Sequence, residues 1–184
     1  YVLNFKDKFE EEVIQRFVDT YIEGGTPNPC IDCNHRIKFR ALMRRMEELD
    51  YDYVVTGHYA RISYDENSGK YILKKALDSS KDQSYVLYNL TQEQLAHTLF
   101  PLGEYEKTEA RKIAEANGLL NAQKHDSQDI CFVPDGDYGK FIEEYCERTG
   151  KEEDGAKFSP FEAGDFITED GRILGHHKGI IHYT

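Results

Sequence analysis

Four absences narrow the field before any motif is read. Only four cysteines occur in 184 residues, too few for a secreted scaffold held by disulfides. In a reducing compartment such cysteines do chemistry or bind metal, so a cytoplasmic protein is expected. No apolar run approaches the ~18 residues of a membrane span, and no membrane partner is expected. No signal peptide opens the chain, because Tyr1-Val2-Leu3-Asn4 runs straight into charge. Positive charge is also short, 23 Lys and Arg against 34 Asp and Glu, a net of −11. A bulk electrostatic grip on nucleic acid is therefore not the default reading, and any RNA site has to be a local basic patch. The first residue is not Met and the last lies within an apolar segment, so the chain is expected to be an internal piece of a longer one.

The apolar share of 39% is ample for a core. Residues 1–3 read as the end of a strand. Residues 7–23 read as an amphipathic helix with Phe9, Val13, Phe17, Tyr21 and Ile22 on one face, stopped by Gly24-Gly25. Two prolines within Thr26-Pro27-Asn28-Pro29 argue against regular helix, and Cys30 to Asn34 are placed on a loop. A second helix is predicted over 35–49, with Arg36, Arg40 and Arg44 as a basic stripe. Tyr53-Val54-Val55-Thr56 suits a buried parallel strand. Residues 59–64 and 70–75 flank Asn67-Ser68-Gly69 as a hairpin. Short helices are predicted over 84–89 and 91–98, longer ones over 106–117 and 137–149. Residues 126–133 read as a loop and a strand carrying Cys131, and 151–157 as a linker. The texture turns β from 163 onward, around Glu169-Asp170-Gly171.

Five segments carry candidate chemistry. Pro27-Asn28-Pro29-Cys30-Ile31-Asp32-Cys33-Asn34 sets two cysteines on a constrained loop, able to form a disulfide, bind metal or supply a thiolate. Cys33 just ahead of a helix would have its thiolate favoured by the dipole and by the neighbouring arginines. Ordinary packed cysteines are the plain alternative, and a zinc site lacks a second closely spaced pair. Three thiolates, Cys30, Cys33 and Cys131, would suit an iron–sulfur centre. Asp126-Ser127-Gln128-Asp129-Ile130-Cys131-Phe132 is the second segment, while Cys146 among Phe141 and Tyr145 reads as core. Thr56-Gly57-His58-Tyr59 ends a strand where ligands approach parallel sheets; a tight strand exit is the alternative. Lys81-Asp82-Gln83-Ser84 either touches phosphate and base edges or starts a helix capped by Asp82. The run from His35 to Met46 holds no acidic residue. It is either a solvated helix face or a phosphate-binding patch. His176-His177-Lys178 reads as strand-exit surface.

Taken in order, these segments resemble the tRNA-specific 2-thiouridylases. The resemblance rests on Gly25-Thr26-Pro27-Asn28-Pro29 with Cys33-Asn34 and Ile37-Lys38-Phe39. It continues through Thr56-Gly57-His58-Tyr59-Ala60, Lys81-Asp82-Gln83-Ser84-Tyr85, Asp126 to Phe132, and Gly175-His176-His177-Lys178-Gly179. It implies an α/β fold: the C-terminal part of a PP-loop domain (Rossmann-like, of the adenine nucleotide alpha hydrolase type) over 1–132, then an incomplete, mixed or β middle domain over 133–184. It implies that ATP, with Mg as counter-ion, adenylates the C2 oxygen of the wobble uridine of tRNA, and that persulfide sulfur replaces that oxygen. Cys131 matches the persulfide carrier and Cys33 the nucleophile that resolves it through a disulfide. Gly57 matches an ATP contact. Asn28, Pro29 and Cys30 match contacts to the target base, and His58, Lys81, Asp82 and Gln83 contacts to tRNA. Implied partners are tRNA and a sulfur-donor protein, either a cysteine desulfurase or a relay protein.

Two departures qualify the match. The phosphate-gripping glycine–serine loop of such domains is absent, so this stretch alone is expected to be inactive. Position 30 is Cys where many relatives carry Asp, which creates a Cys-x-x-Cys and keeps the cluster reading open. Alternatives from other classes are a PP-loop enzyme of the 2-thiocytidine or lysidine type, and a non-catalytic metal-binding RNA module.

Overall fold

The computed structural model describes residues 2–123, 129–151 and 159–183. Two compact units emerge. The first comprises residues 1–5 and 30–126, the second 6–29 and 127–184.

In the second unit the amphipathic pattern from Phe9 to Ile22 forms one helical run, α1 (6–22). Lys6–Phe9 and Gln15–Ile22 are α-helical, with the π-turn Glu10–Ile14 between them. Val13, Phe17, Val18 and Tyr21 are buried. They meet α5 (Tyr138–Thr149) through Ile142, Tyr145 and Cys146, with Ile181 closing the cluster. Each such large side chain removed from water contributes about 1.5–3 kcal/mol. Helix α5 starts where the Asp137 carboxylate accepts the Lys140 N–H at 3.0 Å. It stops at Gly150, whose φ of +64° is the left-handed conformation glycine reaches without strain. Strands β5 (Gly164–Ile167) and β6 (Ile173–His177) pair antiparallel, with an irregularity between Phe166 and Ile167. Most of the proposed 151–157 linker lies outside the described residues.

The first unit has the α/β character expected. Strand β1 (Val54–Val55) pairs in parallel with β4 (Thr98–Leu99). Strands β2 (Ala60–Asp65) and β3 (Lys70–Lys75) form the antiparallel hairpin. Its turn is fixed by Asp65, which accepts the Asn67 N–H at 3.2 Å and the Ser68 hydroxyl at 2.6 Å. Helix α3 (Gln92–Ala96) opens with a capping box between Thr91 and Gln94, and α4 is Lys107–Ala116. Ala60, Val86, Leu87, Leu90, Leu95 and Phe100 pack around Phe39 as the core.

Four expectations are corrected. Residues 2–5 form no strand. The predicted helix over 91–98 yields at Thr98, which is buried and pairs into the sheet with its hydroxyl on the Gln94 carbonyl. Between 129 and 133 the chain makes a bend and a turn, so Cys131 is not in a strand. The fourth correction concerns the cysteine loop and bears on the site.

Candidate functional site

Helix α2 spans 29–48, from Pro29–Asp32 through a π-helical Cys33–Phe39 to Arg40–Glu48. The second proline of Pro27-Asn28-Pro29 therefore starts a helix rather than preventing one. At the first helical position its missing N–H has no partner to lose and its φ is already helical. Cys30, exposed, and Cys33, half-buried, lie inside this helix and not on a loop ahead of it. The dipole argument for Cys33 weakens accordingly, because that field fades within the first turn. Asn28 is exposed and Pro29 buried.

The π-segment widens the turn to i→i+5 bonding and shifts the phase of the side chains. Asn34, Ile37 and Phe39 all turn inward. The Asn34 amide donates to the Val86 carbonyl at 3.4 Å. Of the basic run from His35 to Met46, Arg36 pairs with Asp32, and Arg44 and Arg45 with Glu48.

Phe39 ties this helix to the strand exit. Its ring centroid lies 5.9 Å from that of His58, and Phe100 flanks His58 at 5.8 Å. His58 is buried, and its Nδ1 lies 2.7 Å from the Thr56 hydroxyl. Burial, aided by the nearby Lys38 cation, pushes its pKa from 6.5 down to about 4. The unfolded chain binds this proton near pH 6.5, the folded chain only near pH 4. The histidine's contribution is thus complete above that window and lost as pH falls through it, by up to about 3 kcal/mol. Urea unfolding at several pH values is expected to show this slope, and His58→Phe to flatten it. An unchanged slope in the variant would refute the assignment.

The Lys81–Ser84 segment is clasped to the Thr56–Tyr59 segment. Tyr59 N–H donates to the Gln83 side-chain oxygen at 3.0 Å, and Gln83 N–H returns to the Tyr59 carbonyl at 2.8 Å. Asp82 accepts from Ala76 N–H at 2.8 Å and from the Ser84 hydroxyl at 2.7 Å. Burial pushes the Asp82 carboxyl up, but these bonds outweigh it and hold it below the usual range. Both carboxylate oxygens shape the loop. Gln83 thus joins its loop to the strand exit that carries Gly57 and His58, and Phe39, which packs against His58, lies on the helix of Cys33.

Asp78 was not singled out by the sequence reading. It is buried, accepts from the Ser80 hydroxyl at 2.6 Å and from Lys107 N–H at 3.0 Å, and so anchors the start of α4. The Ser80 and Lys107 bonds hold its carboxyl below the usual range. The signal was Asp78-Ser79-Ser80, an Asx pattern.

Cys131 belongs to the second unit and is exposed. Its neighbours hold it there. Phe132 sits edge-on to Phe9 at 5.9 Å and Phe17 at 5.3 Å, and Val133 is buried. The Tyr138 hydroxyl donates to Asp129, which pushes the phenol pKa up to about 12. Cys146 is core, as expected. Residues 126–128 of this motif lie outside the described residues. Among the described residues no three His, Cys, Asp or Glu side chains converge to hold a metal ion.

Comparison with known proteins bears on this arrangement. The family described as tRNA methyl transferase HUP domain matches residues 1–135. The chain is 58% identical over all 184 residues to tRNA-specific 2-thiouridylase MnmA 1 of Thermoanaerobacter pseudethanolicus, covering 48% of that protein. It is 49% identical over the same length to tRNA-specific 2-thiouridylase MnmA of Clostridioides difficile and 52% to that of Acetivibrio thermocellus, again covering 48% of each. The chain spans about half the length of the curated relatives it matches.

Proposed function

Because the chain belongs to the tRNA methyl transferase HUP-domain family, we propose that it is the catalytic part of a cytoplasmic tRNA sulfurtransferase. ATP, with Mg as counter-ion, adenylates the C2 oxygen of the wobble uridine and releases pyrophosphate. Sulfur from a persulfide on Cys131, loaded by a donor protein, then displaces AMP and leaves 2-thiouridine. Cys33 attacks the Cys131 sulfur, frees the terminal sulfur for that displacement, and ends in a disulfide with Cys131. The observation that carries this reading is 58% identity along the whole chain to a protein named for 2-thiouridine formation.

The chemistry suits the residues. Uridine C2 is a poor electrophile until adenylation supplies a leaving group, and thiolate or persulfide sulfur is a strong nucleophile near neutral pH. Gly57 is exposed at the strand exit, and a Cβ there would meet only the Leu102 side chain at 3.6 Å. The chain's own packing does not demand glycine at that position; a nucleotide approaching the backbone does. Asn28, Pro29 and Cys30 are assigned to the target base. His58, Lys81, Asp82 and Gln83 are assigned to tRNA. The domain boundary is set at 132.

Deleting the gene for the full-length protein is expected to remove 2-thiouridine from digested tRNA, as read by nucleoside mass spectrometry, and complementation to restore it. Loss of 2-thiocytidine or lysidine instead would favour another PP-loop enzyme. Stoichiometric zinc with no ATP turnover would favour a metal-binding RNA module. Iron and sulfide in anaerobically purified protein would assign Cys30, Cys33 and Cys131 to a cluster.

A further inference from the structure

We propose that Tyr138 is a positioning residue for sulfur transfer: through the Asp129 carboxylate it sets the turn that presents Cys131. The inference rests on the sulfurtransferase reading and deepens it, because a persulfide needs a defined direction as well as an exposed sulfur.

Cys131 occupies the first corner of a tight turn, closed by the Val133 N–H on the Ile130 carbonyl at 3.0 Å. The residues on either side, Ile130 and Phe132, pack against the core of Phe17, Tyr21 and Ile142. Those contacts are apolar and non-directional. They attach the turn to the core without setting its tilt.

The tilt is set by hydrogen bonds. Asp129 Oδ1 accepts the Ile130 N–H at 2.8 Å and also the Tyr138 hydroxyl. The first bond holds the backbone that enters the turn, and the second ties the same oxygen to helix α5. An ionised acceptor strengthens both. The Tyr138 ring is itself held in place at the start of α5. Its centroid lies 6.1 Å from that of Phe17 and 6.2 Å from that of Tyr21. Space for the carboxylate is kept by Gly136, where a Cβ would lie 3.0 Å from Asp129 Oδ2 and φ is +70°. Phenol, carboxylate and Ile130 N–H thus form a continuous path from α5 to the corner that carries Cys131, all within the second unit. The outer sulfur of a persulfide lies beyond two rotatable bonds from the Cys131 backbone, so a small tilt of the turn displaces it further. A misplacement of about 1 Å at a reacting atom can cost about a hundredfold in rate.

The test uses the full-length enzyme as wild type, Tyr138→Phe, Asp129→Ala, Asp129→Asn and the double variant Tyr138→Phe/Asp129→Ala. Each is loaded with inorganic polysulfide, and the Cys131 persulfide is quantified by peptide mass spectrometry. ATP and tRNA are then added for a single turnover, with pyrophosphate release and 2-thiouridine scored separately. Tyr138→Phe keeps the ring against Phe17 and Tyr21 and deletes only the hydroxyl. It is expected to slow 2-thiouridine formation about tenfold per loaded Cys131, with pyrophosphate release within twofold of wild type. Asp129→Ala is expected to fall at least as far, and the double variant no further than Asp129→Ala. Asp129→Asn keeps an oxygen that accepts both bonds, and is expected to retain most of the rate. Hydrogen exchange is expected to speed up at the amides of 130–133 in Tyr138→Phe and to stay unchanged over 142–149.

A Tyr138→Phe enzyme that forms 2-thiouridine within twofold of wild type overturns the proposal, as does unchanged exchange at 130–133. A parallel loss of pyrophosphate release overturns it as general damage. Asp129→Asn as impaired as Asp129→Ala overturns it in favour of a direct role for the carboxylate charge. A wild-type preparation that forms no 2-thiouridine counts against the sulfurtransferase reading instead, and the exchange measurement then decides the Tyr138 tie by itself.

Discussion

Replacing Cys131 by serine in the full-length enzyme is expected to reduce 2-thiouridine to background while leaving the protein folded. The two halves of that expectation come from different parts of the structure. Folding is preserved because the side chain is exposed on a turn, and the turn is held by its neighbours: Phe132 against Phe9 and Phe17, and Val133 in the interior. A surface substitution that touches none of those contacts falls within about 0.5 kcal/mol. Activity is lost because a hydroxyl cannot carry a persulfide. Cys33→Ser is expected to reach the same endpoint differently. It leaves Cys131 able to accept sulfur, so the variant accumulates a Cys131 persulfide, detectable as one added sulfur by peptide mass spectrometry. The double variant is then no worse than either single one, because the two thiols act as a unit. Wild-type levels of 2-thiouridine from either single variant would refute the assignment of both cysteines.

Where the pattern is long and its punctuation local, the sequence reads correctly. Helix α5 has its stripe of apolar residues, Asp137 at its start and Gly150 at its stop, and both caps act as such. The β2–β3 hairpin is announced by Asn67-Ser68-Gly69 between alternating segments, and its register follows. What escaped reading was decided at a distance or within a few residues. Thr98–Leu99 is a two-residue strand, visible only because Val54–Val55 lies beside it. Pro29 reads locally as a barrier to helix, yet its position at the first turn makes it a start. The π-segment Cys33–Phe39 breaks the 3.6 periodicity on which any helical reading of that stretch depends.

The site shows the same division. Cys33, Gly57, His58 and the Lys81–Gln83 segment were legible as motifs, and the first unit brings those segments around the Phe39 core. Asp78 was not legible, because its importance lies in a carboxylate that reaches Lys107 from 29 residues away. No local pattern encodes a partner that remote.

Gly103→Ala is expected to destabilise the fold by more than about 3 kcal/mol, the range of severe overpacking. A Cβ at Gly103 would lie 1.7 Å from the Ala60 carbonyl oxygen and 2.6 Å from its carbon. Both are backbone atoms, so no side-chain rotation relieves the clash and the chain at one of the two positions has to move. Ala60 is fully buried in the Phe39–Phe100 core and opens strand β2, so moving it loosens that core. Moving Gly103 instead strains its carbonyl bond from Leu77 N–H, now 2.9 Å, and its own N–H bond to Phe100. Gly57→Ala provides the contrast at the same end of the sheet. Its Cβ meets only Leu102 Cδ1 at 3.6 Å, an ordinary contact. Urea unfolding is therefore expected to place Gly57→Ala within about 1 kcal/mol of wild type. Calorimetry with ATP on the full-length enzyme is expected to show weakened binding for that variant. Stability loss at 57 equal to that at 103 would mean that glycine at the strand exit serves packing rather than the nucleotide.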